Sequence, residues 1–515
     1  MATAPQHYLV SFENVVAAVG GYDISSIAEM HISASANSVP QITLAVDAAN
    51  SGAGIGAAEH VSLDNARTVF DVCRSMVKTD GATLSLSMTC HAVGPAGEEE
   101  QKLDISGWPL TDVAFTPVQE EGVCLASLTF QHPICKAHFG GFMPGFISGC
   151  PDLTAVKGAN PFAAFTEAIR AYGNMKAMET LPSALPGMSQ PARVRAVLRQ
   201  RLFKAVADLE ASVSWTHGGL PAAGRLGGWG MSLVEGFART YAAPGGGNSI
   251  LQILLGSLVP ECSLALGGDY TKDKLELGPF EPWADATLRI SERDILSVDL
   301  PQSDPNPISG VCLAAVAQGG GFTSYFDPLG IQGDTRPADV FYIPDSELKA
   351  PYMYGPIQQF TMPGWLQNTV STRGTALAGL IADITSAQEG LMETATTMGR
   401  NPVVTYGGGA ATSSSVEYSS AAAACAKAYF ETSFMKDWSF TVTARLLFSA
   451  GGTICPGRVM AVSTASGDVL TGYVSHVEHG ISVANGSAVT KIVCTHPRFG
   501  RLPAAITSPK NALYN

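Results

Sequence analysis

Charged residues, cysteine and long apolar runs are all scarce in this sequence, and each shortage excludes a class of protein. Only 15% of the residues are charged, while 46% are hydrophobic, which is too many for a disordered chain. The ten cysteines are scattered without a C-x-x-C pair, which favours reduced, mostly buried thiols over a disulfide scaffold. The most apolar run, Ser249 to Pro260, is shorter than the ~20 residues that a membrane-spanning helix needs.

Positive charge is scarce as well. The formal net charge of −13 argues against a general nucleic-acid binder and against docking on anionic lipid, because both need a surplus of Lys and Arg. The N-terminus has no basic stretch followed by an apolar core, so we expect no signal peptide. A basic helix predicted at Arg193 to Lys204 is the local exception. We interpret it as a solvated face, ahead of a contact for an acidic protein or for nucleic acid.

Recognisable catalytic motifs are missing. The sequence has no G-x-S-x-G and no H-E-x-x-H, and the glycine-rich Gly224 to Ser232 lacks the lysine of a phosphate-binding loop. Cys135 and His138 could suggest a nucleophile pair, but a packed thiol is the better interpretation. Glu98 to Glu100 are interpreted as a solvated loop at a hairpin tip. We therefore predict no catalytic residue, no cofactor and no metal site.

Period-two patterns predict strands in the N-terminal part of the chain. Gln41 to Val46 and Ala82 to Cys90 alternate apolar and polar residues, and Gly122 to Phe130 is also strand-like. Between them, Leu63 to Val77 has helical spacing. One helix packed on a small barrel or sandwich accounts for this arrangement.

The C-terminal part repeats the same order of strands, one helix, and strands. A helix is predicted from about Val416 to Phe434, followed by the clearest strand, Trp438 to Phe448. We expect this strand to be central in its sheet and to pack on the helix through Tyr429 or Cys425. The two similar ends suggest a pair of related β-domains.

The middle of the chain has a different sequence pattern. Helices are predicted at Asn160 to Tyr172, Ala192 to Leu209, Met231 to Ala242 and Ile250 to Val259. The predicted fold is therefore α+β and mainly β, with β-domains flanking a mixed helical middle. The predicted boundaries are a first β-domain at 1–150, a helical middle at 151–290, a turn-rich connection at 291–410 that contributes strands to the second β-domain, and that second domain at 411–515.

Four residues near the C-terminus could in principle form a metal site: His476, His479, Cys494 and His496. Turn residues at Ser466 to Asp468 and around Asn485 and Gly486 instead predict three antiparallel strands. Residues three apart on a strand point to opposite faces, so His476 and His479 cannot share one ion. No close-spaced ligand pair of the usual zinc type is present. We therefore expect His476 to pack or to form a hydrogen bond without a metal.

The C-terminal segment resembles the closing segment of tail hub proteins in the baseplates of phages and related contractile injection systems. The residues that carry the resemblance are Ile454 to Ser463, Leu470 to Ser482 and Gly486 to Gly500, preceded by the strand Trp438 to Phe448. Ile250 to Gly268 and Leu275 to Trp283 are similar to the helical segment of these hubs.

The resemblance implies a structural protein of the virion tail, assembled in the host cytoplasm, and no enzyme. It implies a homotrimer in which each chain gives two tail-tube-like barrels, joining the tail tube protein to the spike or tip and to other baseplate proteins. DNA would pass through the ring without specific binding, and no stable membrane association is expected. The alternative is a hydrolase of cell-wall or surface polysaccharide with its site in the helical middle, where the carboxylates are Glu167, Glu179, Asp208, Glu210 and Glu235.

Overall fold

The structure is a computed structural model, and it describes most of the two ends of the chain. The described residues are 9–24, 27–47, 61–63, 66–79, 81–94, 97–117, 124–139, 200–201, 204–205, 207–215, 251, 255, 264–300, 308–314, 339–342, 355–361, 403–406, 426, 429–430, 432–445, 447–449, 452–464, 467–483 and 486–499.

Strands dominate these residues. The helices are α1 (Ala66–Met76) and α2 (Lys136–Phe139), with 3₁₀ turns at Pro133–Cys135 and Glu292–Asp294. The strands are β1 (Leu9–Val19), β2 (Tyr22–Ile24), β3 (Ile27–Ser35), β4 (Gln41–Asp47), β5 (Val61–Leu63), β6 (Thr83–Gly94), β7 (Gly97–Pro117), β8 (Cys124–Gln131), β9 (Val213–Trp215), β10 (Leu264–Gly267), β11 (Leu275–Pro279), β12 (Leu288–Ser291), β13 (Ile295–Asp299), β14 (Gly310–Ala314), β15 (Asp339–Tyr342), β16 (Ile357–Thr361), β17 (Val403–Tyr406), β18 (Ser439–Ala444), β19 (Phe448–Ser449), β20 (Gly452–Thr453), β21 (Val459–Thr464), β22 (Gly467–Ser482) and β23 (Ser487–Phe499).

One 14-stranded sheet runs through both ends of the chain. Its order is β13-β18-β23-β22-β3-β4-β8-β7-β6-β1-β2-β5, and β21 pairs with β22 and β12 beside this path. Smaller sheets have the orders β10-β11-β9 and β16-β14-β15-β17. We call β1 to β4 with β6 to β8 the N-sheet, and β12, β13, β18 and β21 to β23 the C-sheet.

Each of these two sheets is curled so that its two ends meet along the chain. The N-sheet begins at β3 and ends at β2, and only two residues separate these strands. The C-sheet begins at β13 and ends at β12, which are joined by the turn Glu292–Asp294. A short link forces the two edges together, so each sheet wraps around its own apolar face. Within the described residues, neither sheet is closed into a barrel by hydrogen bonds between its end strands.

The strand registers of the two sheets correspond residue by residue. In the N-sheet β4 pairs with β8, and Ile42 lies opposite Phe130. In the C-sheet β18 pairs with β23, and Phe440 lies opposite Cys494. The next two strands, β7 and β22, continue the correspondence, because Val113 lies opposite Leu128 and Val477 lies opposite Ile492 at the matching positions.

Two register shifts occur at the same places in both sheets. The β3–β4 ladder is shifted between Ile27 and Glu29, and the β13–β18 ladder is shifted at the matching place, between Ile295 and Ser297. A second shift, between Leu110 and Asp112 in β7, matches the shift between Val474 and His476 in β22. Bulges bend strands and increase their twist, so shared bulges give the two sheets the same curl. The strands β13, β18, β23, β22 and β21 therefore duplicate β3, β4, β8, β7 and β6. The sheets differ beyond these strands, because β12 pairs parallel with β21 whereas β1 pairs antiparallel with β6.

The duplicated cores exchange large and small residues at matching positions. Ile42 and Trp108 in the N-sheet correspond to Phe440 and Gly472 in the C-sheet. A Cβ atom on Gly472 would lie 2.6 Å from the Phe440 ring and 2.9 Å from the Cys494 Cβ atom. Glycine is therefore required at this position because a phenylalanine fills the space that a tryptophan occupies in the other copy.

The strands predicted from alternating residues are confirmed at the N-terminal end, as are the helix α1 and the three antiparallel strands β21 to β23. β18 has neighbours on both sides, β13 and β23, and shares its sheet with β22.

Two details differ from the sequence-based expectations, the end of β18 and the place of Glu98 to Glu100. β18 ends at Ala444, four residues before the predicted end, and Leu447 is buried beyond it. The Phe440 ring packs in a cluster with Val474 and Cys494, whereas Tyr429 packs on Phe360 with ring centroids 4.6 Å apart. Cys425 lies outside the described residues. Glu98 to Glu100 belong to strand β7 rather than to a loop.

The helices are also placed differently in the two copies. In the N-sheet α1 follows β4, whereas the helical residues described between 426 and 433 precede β18, the counterpart of β4. Residues 200–212 are helical wherever they are described, and so are 251 and 255. The helices predicted at Asn160 to Tyr172 and Met231 to Ala242 lie outside the described residues.

Two further findings concern the described residues alone. None of their helices has the length and apolar character needed to cross a membrane. Six of their cysteines are free and buried, as the sequence predicts: Cys73, Cys90, Cys135, Cys312, Cys455 and Cys494.

The packing of Phe440 gives a first testable prediction. Phe440→Ala should lower the free energy of unfolding by about 3–5 kcal/mol, the range for deleting a buried aromatic ring. Gly472→Ala should also destabilise the protein, because its methyl group collides with that ring. In a Phe440→Leu background the cost of Gly472→Ala should shrink, since the smaller side chain leaves room. Chemical denaturation of the wild type, Gly472→Ala, Phe440→Leu and the double variant Phe440→Leu/Gly472→Ala gives the coupling energy.

Val489→Ala is the matched control, because Val489 is 44% exposed on β23 and its loss should change stability little. Equal costs for Gly472→Ala in both backgrounds would contradict the proposed contact.

Candidate functional site

The histidines and the cysteine singled out in the sequence lie in one region but do not converge on one point. His476 Nδ1 hydrogen-bonds with Ser35 Oγ at 2.7 Å, whereas His479 is fully buried on the opposite face of β22. Cys494 is buried in the C-sheet core. His496 lies beyond it with a positive φ of 55°. Within the described ranges, no group of three or more His, Cys, Asp or Glu side chains could hold a metal ion.

His476 and His479 instead lie at the junction between the two sheets. β3 of the N-sheet pairs antiparallel with β22 of the C-sheet, from Ser35 opposite His476 to Glu29 opposite Ser482. β22 is long enough to pair with β21 through its first half and with β3 through its second half. The two curled sheets are thus joined edge to edge by main-chain hydrogen bonds.

The inner face of this junction is apolar and closed to solvent. Met30 lies opposite Ile481 and Ile32 lies opposite His479, and all four side chains are at most 1% exposed. His479 is the one polar member of the group. Directly opposed side chains on antiparallel strands contact each other, so the junction is sealed by packing as well as by the backbone.

Residues 264–280, which we call the clasp, cover this inner face. The clasp contacts the N-sheet at Asn37, whose N–H donates to the Leu266 carbonyl at 2.8 Å and whose Oδ1 accepts from the Leu266 N–H at 2.7 Å. It contacts the C-sheet at Tyr270, whose hydroxyl shares a 2.6 Å hydrogen bond with His479 Nε2. His479 Nδ1 bonds with the Thr490 hydroxyl at 2.8 Å. Both ring nitrogens of this buried histidine are therefore satisfied.

Glycines let the clasp approach the start of β21 closely. The Gly268 N–H donates to the Pro456 carbonyl at 2.8 Å. A Cβ atom on Gly267 would lie 2.6 Å from the same carbonyl oxygen, so only glycine fits there. Beside this contact Arg458 forms an ion pair with Glu276.

A second histidine ties the clasp to the N-sheet. The His132 Nε2–H group donates to the Lys272 carbonyl at 3.0 Å, while its Nδ1 accepts from the Ile134 N–H at 3.2 Å. One donating and one accepting nitrogen define the neutral tautomer. The side chain is fully buried, and its ring lies edge-on to Trp108.

Burial shifts the ionisation of these groups towards their neutral forms. Loss of solvation lowers the pKa of His479 from 6.5 to about 3 and the pKa of His132 from 6.5 to about 4. Burial likewise raises the pKa of the Cys455 thiol to about 12 and that of Tyr270 well above its ordinary value. Uncharged groups held by fixed hydrogen bonds stabilise a joint and do not make an activated nucleophile or base.

The residues after the clasp are fixed to the end of β23. The buried Arg498 donates to the carbonyl of Trp283 at 3.1 Å and to that of Ala284 at 2.6 Å. Trp283 and Phe280 lie edge-on to the His496 ring, with centroids 5.6 and 5.4 Å away. These contacts explain how a non-glycine residue is held at positive φ.

A cavity of about 240 Å³ lies beside the Arg458–Glu276 pair, and the other charged residues in its lining are Glu281 and Asp285. The guanidinium of Arg458 is held by Glu276.

The other predicted candidates remain dispersed. Cys135 is buried, and its pKa is raised to about 12, mainly by loss of solvation, as expected of a packed thiol. The side chain of His138 lies outside the described residues. Asp208 and Glu210 lie on the helical stretch 200–212, while Glu167, Glu179 and Glu235 lie outside the described residues.

Apart from His476 and His479, the junction residues were not anticipated from the sequence. Asn37 and Tyr270 belong to no recognisable motif, because their roles depend on contacts between distant parts of the chain. The available signal was the double glycine Gly267–Gly268 with Asp269, which indicates a tight turn but not its partner.

No protein-family model matches the chain, and no curated protein matches it. Solved structures that are similar to it over nearly its whole length include three tail-related proteins. A tail protein from Neisseria meningitidis shares 10% identity over 97% of this chain and 99% of its own, with a TM-score of 0.40. The 43 kDa tail protein of prophage MuSo2 from Shewanella oneidensis shares 9% identity over 94% and 98%, with a TM-score of 0.41.

The third structure is an E. coli component of the type VI secretion system, described as structurally similar to the T4 bacteriophage tail proteins gp27 and gp5. It shares 6% identity over 97% of this chain and 81% of its own, with a TM-score of 0.31. These are phage tail proteins and a tail-related secretion component. The resemblance stated from the sequence concerns the same class of protein.

The buried histidines give a prediction for pH dependence. Because the folded-state pKa values of about 3 and 4 lie below 6.5, the unfolded chain binds more protons between these limits. Their contribution to stability is therefore complete above pH 6.5 and is lost as the pH falls towards 4. His479→Gln, which cannot take up a proton, should show a shallower loss of melting temperature from pH 7 to 4.5 than the wild type.

His31→Gln is the control, since His31 lies on the exposed face of β3. It measures the effect of replacing a histidine that lies outside the buried hydrogen bonds of the junction. Parallel melting profiles for the wild type and His479→Gln would contradict the assigned role of His479.

Proposed function

We propose that this chain is a structural hub of a phage tail or a related injection machine, and that three copies form a ring between the tail tube and the spike or tip. The observation that carries the proposal is the duplication: one chain contains two curled sheets with matching registers, joined edge to edge. In this proposal each curled sheet is a tube-like barrel. Three chains then supply six similar units, which fit a sixfold tube above and a threefold spike below.

The junction supports a mechanical role rather than a catalytic one. A ring that carries load between two parts of a machine needs its units held rigidly. Here the units share a β-ladder, a clasp with contacts to both sheets, and buried histidines in hydrogen bonds. The described residues around this joint hold their polar groups in neutral or ion-paired states, which suits a fixed joint.

The charge of the chain supports a conduit for DNA. A net charge of −13 repels phosphate groups, so DNA would slide through the ring without binding to it. The partners in this proposal are the tail tube protein, the spike or tip protein and other baseplate proteins. The location is the virion tail, after assembly in the host cytoplasm.

Oligomer mass tests the proposal. Size-exclusion chromatography with light scattering should give a particle of three times the 53.6 kDa chain mass, because trimeric interfaces of the obligate class bury ~2,000 Å² or more. A chain that stays strictly monomeric at high concentration, with no trimer in assembled particles, would overturn it.

A further inference from the structure

The duplication predicts which surfaces join one chain to the next. Inside the chain, β3 occupies the outer edge of β22 from His476 to Ser482. The counterpart of β22 in the N-sheet is β7, and the counterpart of β3 in the C-sheet is β13. Both counterparts lack a strand on the equivalent edge among the described residues: β7 beyond Pro109 pairs only with β8, and β13 pairs only with β18.

We infer that Val298 to Leu300, at the end of β13 in one chain, pair antiparallel with the outer edge of Phe115 to Pro117 in β7 of a second copy of this chain. The pairing repeats the internal β3–β22 junction between molecules. This inference rests on the proposed hub function for the number of chains, but its geometry comes from the strand registers alone.

Exposure of apolar residues supports this assignment. Ile32 of β3 is 1% exposed because β22 and the clasp cover it. Its counterpart directly after β13 is Leu300, which is 52% exposed in the single chain, and Leu296 in β13 is 48% exposed. Large apolar side chains on an unpaired edge strand favour pairing with another chain. Leu300 thus stands exposed at the position where the internal junction buries an isoleucine.

The matching registers predict which residues meet. His479 lies opposite Ile32 within the chain, and its counterpart in β7 is Phe115, so Leu300 of one copy should lie opposite Phe115 of the other. Asp299 should lie opposite Thr116, and Val298 opposite Pro117. Phe115 is partly buried against Phe70 of α1, with ring centroids 5.4 Å apart. α1 therefore packs on Phe115 in the N-sheet as the clasp packs on His479 at the junction.

The two edges lie far apart along the sheet. β13 and β7 are separated by seven strand intervals, a path of ~34 Å along the sheet at about 4.8 Å per interval. The contact is also heterologous, because two different edges meet. Heterologous contacts build rings when the rotation between copies closes, which is the form that the proposed hub requires.

Disulfide trapping with mixed chains tests the pairing. Directly opposed residues on antiparallel strands have Cα atoms about 4.5–5.5 Å apart, within the range that a disulfide bridges. We expect Asp299→Cys and Thr116→Cys chains to cross-link on mild oxidation when they are mixed, and each to stay uncrosslinked alone. The double variant Asp299→Cys/Thr116→Cys should give covalent species up to the complete ring.

Two controls define the background. Val489→Cys replaces Asp299→Cys in a second mixture, because Val489 is exposed but lies on an interior strand of the sheet, and it should not cross-link. The wild-type chain, oxidised in the same way, measures any bridging by the native cysteines. Without cysteine substitutions, Leu300→Lys should lower the fraction of oligomer by at least tenfold in dilution series, whereas Val489→Lys should not.

The outcomes separate this inference from the proposed function. A trimer that forms without the mixed cross-link, or in which Leu300→Lys assembles like the wild type, overturns the edge pairing and leaves the hub proposal standing. Cross-linking of either single variant with itself would indicate a twofold contact and would also overturn the pairing. A mixed cross-link in a ring of another size supports the pairing and contradicts the trimeric hub. A strictly monomeric chain overturns both.

Discussion

The antiparallel pairing of β3 with β22 is the contact on which the rest of the structure depends. Its register is strongly fixed, because a slip by one residue would turn Met30 and Ile32 out of the core and bring Glu29 and His31 into it. The clasp depends on the same register, since Tyr270 reaches His479 only when that histidine faces inward. One ladder therefore sets the relation between two sheets that are far apart in the sequence.

Duplication explains why the two sheets can be joined in this way. Each is built around a hairpin of equal length, Leu110–Phe130 and Val474–Cys494, with a bulge at the same position. Each also returns to its starting edge through a strand pair connected by two or three residues. The copies differ in how they cover the hairpin, with α1 over Phe115 and the clasp over His479. The two units therefore share one strand arrangement and differ in the element that packs on the hairpin, which keeps them equivalent in shape. The clasp packs only at the internal junction.

The sequence predicts the strands but conceals the duplication. Alternating residues identify β4, β6, β8 and β18, because half-buried strands impose a period of two. The two hairpins, however, share only Val113 with Val477 and Gly122 with Gly486 as identical residues. Side chains at matching core positions also differ in size: Trp108 corresponds to Gly472, and Ile42 corresponds to Phe440. A core needs the right total side-chain volume and hydrophobic pattern rather than identical residues. The strand registers of the folded chain therefore reveal the duplication, which a comparison of the two sequences does not.

The candidate site was less predictable still. That His476 and His479 face opposite sides of one strand follows from strand geometry, but their partners Ser35 and Tyr270 lie 441 and 209 residues away. Contacts over such separations leave no local pattern. The surroundings of Phe440 depend on such contacts too, because its ring is enclosed by the β21–β22 side of its own curled sheet. The expected packing of β18 on the preceding helix through Tyr429 or Cys425 stays a prediction.

The central claim is that one chain contributes two equivalent units joined by the same kind of edge that links neighbouring chains. Electron microscopy of the purified oligomer, averaged without imposed symmetry, tests this most directly. End-on views should show six lobes of nearly equal size around an open centre, with threefold symmetry and nearly equal spacing between lobes. Three lobes, a twofold particle, or six lobes in clearly separated pairs would contradict the account.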